Sequence, residues 1–205
     1  MQTPTRVLLL TSAVLVLLAA ACGRPAPLPD AKARLGHQRL MLSEGYSLLY
    51  DEASKIDRVE LVLYVKTDSK AFDALVEKVS DFGGQVRKDL ERIAADYPGV
   101  RIDLHPLPEM EMRKRHAIGQ DRLIQFAPVS GHGGPEYERT MLISISNALN
   151  HESHLCHVMA DEEPDAGLKQ FLLQSERRYD ELSELTMGLL NREYFKFDAN
   201  PRKAP

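Results

Sequence analysis

From Asp30 onward, apolar and polar positions alternate with the rhythm of packed helices. Leu35, Leu42, Leu49, Ile56 and Leu63 recur at a seven-residue spacing, with Tyr46 and Ala53 between them. A helix returns a side chain to nearly the same face after about two turns, so this stripe predicts one helix from Asp30 past Leu63. The spacing predicts a second helix over 68–97, capped by Asp68 or Ser69, with Phe72, Val76, Val79, Val86, Leu90, Ile93 and Tyr97 as its stripe and Pro98-Gly99 as its stop. A third long helix is expected over 136–162, with Leu142, Ile145, Leu149, Cys156 and Met159 as its seam and Pro164 beyond it. A fourth, over 165–191, carries Leu168, Leu172, Tyr179, Leu182 and Leu189.

The stretches between these helices are equally readable. Prolines 106 and 108 keep GVRIDLHPLP extended, a shorter amphipathic piece follows over 109–126, and APVSGHGGP reads as a loop. VELVLYVK at 59–66 is rich in β-branched and aromatic residues and competes as a strand. Leu63 stays in register with Leu35, and VRIDL is its one possible partner, so the helical reading is preferred. The pattern describes an all-α four-helix bundle with one long crossover containing a short helix.

Two segments carry a resemblance. GPEYERTMLISISNALNHESHL and LKQFLLQSERRYDEL are similar in pattern to exported ferritin-like bundles of unknown function found in many bacteria. The resemblance implies a ferritin-like fold and little about activity.

The N-terminus adds a destination. MQTPTRVLLLTSAVLVLLAAAC has one cation at Arg6, an apolar run from Val7 to Leu18 and small residues up to Cys22, the layout of a secretory signal over 1–21. The run is too short to serve well as a membrane span. LLAAAC resembles the lipobox of bacterial lipoproteins, with Ala19 where that family prefers leucine. The resemblance implies cleavage before Cys22, lipidation of its thiol and, with Gly23 in place of aspartate next to it, an outer-membrane location facing the periplasm. A conventional signal cut near Ala21 is the alternative. Prolines 25, 27 and 29 make 22–29 a semi-rigid tether, leaving 30–192 as the domain and 193–205 as a tail with aromatics that could dock.

Charge narrows the partners. A net charge of -4 gives no electrostatic reason to expect nucleic acid. With two cysteines, one of them assigned to lipid, Cys156 has no partner for a disulfide within the chain. The expected partners are the membrane, through the anchor, and an envelope protein.

Candidate chemistry centres on NHESHLCHVM at 150–159. On a helix Cys156 lies about 40° from Glu152, toward the core, and His154 about 200° away, with His151 and His157 to either side. His154, His157 and Asp161, with His151 nearby, could bind a divalent metal through imidazoles and a carboxylate. A solvated helix face explains the same stripe. Neither glutamate nor aspartate stands three positions before any of the seven histidines, so the Glu-x-x-His pairs of a ferritin-like di-metal centre are missing, and no cofactor is expected beyond the lipid. Glu60 and Glu152 fall on apolar seams and form a candidate pair of buried carboxylates. GHGG at 131–134 lacks a G-x-S-x-G nucleophile elsewhere in the chain, and RKRH at 113–116 reads as a solvated face or a contact for acidic headgroups. The functional expectation is a lipid-anchored, non-catalytic binding or envelope module. A metal-binding or metal-sensing protein is the alternative.

Overall fold

The computed structural model describes residues 31–64, 69–125 and 134–195. The signal, Cys22, the tether, most of the GHGG loop and the end of the tail lie outside the described residues. Two compact units are distinguished, Met1–Leu35 and Gly36–Pro205. Of the first, the opening of one helix is described, and the architecture below is that of the second.

The described residues form an all-helical, bundle-like fold without strands. Its elements are α1 (Ala31–Ile56), a 3-10 helix (Val59–Tyr64), α2 (Lys70–Asp96), α3 (Glu109–Gln125), α4 (Pro135–Glu162) and α5 (Ala166–Glu193). Local chemistry sets their ends. Ser69 caps α2 by accepting from the Phe72 N–H, and Asp165 caps α5 by accepting from Gly167 and Leu168. Before α4, Gly134 has φ 73, a left-handed conformation that only glycine adopts easily, and Pro135 occupies the first helical position, where its missing N–H costs nothing.

The predicted stripes of α2, α4 and α5 are buried almost as read, with Ile93 half-buried and Tyr97 displaced to the C-cap of α2. The stripe of α1 is not buried throughout. Leu42, Tyr46, Leu49, Ala53 and Ile56 are in the core, but Leu35 is 63% exposed. After Ile56 the α-helix stops. Arg58 N–H bonds back three residues to Lys55, a turn intervenes, and the chain re-forms as the 3-10 helix with Leu61 54% exposed. The 59–66 segment is therefore helical and not a strand up to Tyr64, but it does not continue the seven-residue register.

The break has a tertiary cause. Ser80 Oγ donates to the Asp57 carbonyl, Arg87 Nε holds the Asp57 carboxylate at 3.0 Å, and Gly83 and Gly84 let α2 press against this turn. Tyr50 donates to Glu91 further along, so α1 and α2 are antiparallel. Gln38 donating to the Glu162 carbonyl and the close approach of Gly45 to Met159 make α1 and α4 antiparallel as well, and Tyr46 bonds to Glu163 just past α4. Ser153 with Asp180 and His157 with Glu176 set α4 against α5, while Phe82 stacks edge-on against Tyr179 across α2 and α5. The segment after α2 returns beside α1, where Ser43 donates to Gly99 O and Ser47 to Arg101 O. Among the described residues no helix is long and apolar enough to cross a membrane.

Candidate functional site

Glu152 stands three residues after Leu149 and four before Cys156, on the buried side of α4, and it is 5% exposed. Its Oε2 is buried without a hydrogen-bond partner. An isolated carboxylate in an apolar core is far costlier than a neutral acid. Burial, reinforced by the charge of Glu52, pushes its pKa up to about 8. Lys55 and Arg115 pull the other way. Both cations are engaged elsewhere: Lys55 Nζ lies 2.8 Å and Arg115 Nη1 2.7 Å from Glu52 Oε1, and Lys55 also reaches Asp51 at 2.7 Å. Among the described residues Glu152 has no ion-pair partner, and its raised pKa favours the protonated form at neutral pH.

Tyr179 brings a second polar group into the same core from α5. It is fully buried, its ring centroid lies 4.8 Å from that of Phe82, and its hydroxyl has no hydrogen-bond partner. Burial first, then Cys156 and Glu152, hold it well above the usual phenol range. Burial likewise pushes the Cys156 thiol far up, with Glu152 adding to the effect. A thiol that does not ionise is a poor nucleophile, so Cys156 serves as a small core residue. What this group can do chemically is bind and release one proton at Glu152.

The other sequence candidates are placed differently. Glu60 lies exposed in the 3-10 helix, because the turn at Asp57 and Arg58 rotates it off the seam of α1. Of the two candidate buried carboxylates, Glu152 is buried and Glu60 is not, so the candidate pair is corrected to Glu152 alone. His151, His154, His157 and Asp161 are all exposed, as the helical angles require. They do not converge on a metal: among the described residues no group of three or more His, Cys, Asp or Glu side chains could hold one. His157 instead takes Glu176 of α5 at 3.0 Å through Nδ1, with Asp161 at 3.9 Å from Nε2. The basic run of α3 is a solvated face, Arg113 pairing with Glu109 and Lys114 with Glu111, except that Arg115 also reaches across to Glu52.

Sequence reasoning missed two buried carboxylates, Glu138 and Glu163, which are 1% and 3% exposed. Glu138, in the first turn of α4, accepts from the Ser69 backbone N–H and from the Tyr194 hydroxyl. Glu163, just past α4, accepts from Tyr46 at 2.9 Å and from the Asp165 N–H at 3.1 Å, with Arg39 at 3.5 Å. Glu138 lies in the first turn of α4 and Glu163 just ahead of the N-cap of α5, and free N–H groups at helix N-termini attract carboxylates. That was the available signal. Their distant partners, Tyr194 and Tyr46, could not be read from spacing. A scan against protein-family models, a search of curated proteins and a search of solved structures each returned no match.

Proposed function

We propose that this protein is a lipid-anchored envelope module whose domain is a ferritin-like four-helix bundle acting by surface binding and not by catalysis. The observation that carries the reading is how the buried acids are used. Glu138 and Glu163 tie the two ends of α4 to α2, α5 and α1, and Glu152 lies shut in the core. The carboxylates that a ferritin-like oxidase would turn toward metal thus hold helices together or lie unpaired.

Helix directions support the ferritin-like layout. The contacts run α1 and α5 one way and α2 and α4 the other, with a crossover returning along α1; ferritin-like folds join their halves by such a crossover. LLAAAC at 17–22 supports the anchor and the outer membrane facing the periplasm. The metal-handling alternative has no geometric support among the described residues.

The test joins anchor to binding. Palmitate labelling and membrane fractionation of the native chain should both be positive and both be lost in Cys22→Ser. Photo-crosslinkers at the exposed Ile143 and Leu185 should give discrete envelope adducts in the anchored protein. Failure of the native chain to take label would overturn the anchor, and an absence of adducts from both positions would overturn the binding role.

A further inference from the structure

The surroundings of Glu152 do more than keep it neutral. The antiparallel register that sets Gly45 against Met159 and Gln38 against Glu162 brings Glu52 of α1 level with Glu152. Asp51, Glu52 and Lys55 thus act on it from α1 and Arg115, bonded to Glu52, from α3, while Cys156 on its own helix and Tyr179 on α5 are the other titratable groups coupled to it. The two acids and two cations balance while Glu152 is neutral, and they are joined through Glu52 Oε1, which receives both Lys55 and Arg115. Arg115 is also the ion pair that links α3 to α1. Among the described side chains of α3, Met110, Met112 and Ile118 are exposed, at 74%, 44% and 44%.

Removing the Glu152 proton adds a third carboxylate to a set holding two cations. A buried charge without a partner is strongly unfavourable, and a cation that leaves an exposed pair to meet it gives up little. We propose that the proton on Glu152 is a switch for the seat of α3: when it passes to bulk water, Lys55 and Arg115 redistribute from Glu52 toward the new carboxylate, and the tie between α3 and α1 is exchanged for another. The exposed Met110, Met112 and Ile118 move with it, so the state of one buried acid reaches the surface.

The experiment is a pH titration of the full chain by NMR, following the Glu152 side-chain carboxyl carbon, the Arg115 Nε signal and the amides of α3. The expected result is one common midpoint near pH 8 for all three, and no inflection at Arg115 or α3 in Glu152→Gln, which fixes the neutral form. Arg115→Gln, a surface change that keeps the fold measurable if Glu152→Gln is poorly behaved, should raise the Glu152 midpoint, because a cation that favours the carboxylate is gone. A Glu152 carboxyl already ionised at pH 6, a Glu152 titration that leaves Arg115 and α3 unmoved, or an α3 titration that survives Glu152→Gln would each overturn the proposal.

Discussion

Glu138, Glu152 and Glu163 leave water on folding, and each is accommodated in its own way. Glu138 and Glu163 each accept from an N–H and an O–H donor. Glu152 is held toward its neutral form, burial pushing its pKa up to about 8 from the ordinary carboxylate value of 4.5. Between those two values the folded chain binds a proton that the unfolded chain has released, so stability falls as pH rises through that window and levels off above it. Glu152→Gln removes this loss. Urea unfolding should show the variant gaining on the native chain from about pH 5 to pH 8, by on the order of a few kcal/mol at the upper end, with the two converging in acid. Parallel curves across that range would mean that Glu152 is solvated in the native state. The place of Glu152 could be read from the helical angle between Leu149 and Cys156. The place of Glu60 could not, because no proline or glycine marks the turn at Asp57; contacts with Ser80 and Arg87, far away in sequence, impose it.

At the scale of elements, helix boundaries were legible to within a residue or two wherever a cap or breaker stood, as at Ser69, Pro98, Pro135 and Pro164. The pairings of those helices were not, since they rest on surfaces that only folding brings together. Gly83 is an example. A Cβ there would lie 2.6 Å from the Asp57 backbone nitrogen and 2.6 Å from Ile56 Cγ2. Replacing a helical glycine by alanine ordinarily gains about 1 kcal/mol, but here the clash with backbone should reverse the sign. Gly83→Ala is expected to destabilise by about 1–3 kcal/mol. Gly119→Ala in α3, where nothing lies within 4 Å, should be neutral or stabilising by up to about 1 kcal/mol. Thermal melts of the two variants give the comparison, and equal shifts would show that α2 does not press on the turn.

For the whole molecule, the two antiparallel hairpins α1–α2 and α4–α5 are joined by contacts between residues far apart in sequence. Tyr46 and Glu163 are separated by 117 positions. Tyr46→Phe leaves a buried carboxylate short of one donor and should cost about 1–3 kcal/mol in equilibrium unfolding; no change would mean that Arg39 and the Asp165 N–H suffice. The same separation bears on time. Each hairpin closes over a short stretch of chain, whereas the α1–α4 contact must wait for a long loop to close. Docking of the hairpins is then expected to be the late event, and the prediction is that the Tyr46–Glu163 bond is absent from the folding transition state. Its loss should quicken unfolding and leave the refolding rate nearly unchanged, so that this one hydrogen bond at the end of α4 acts as a latch on how long the native state lasts.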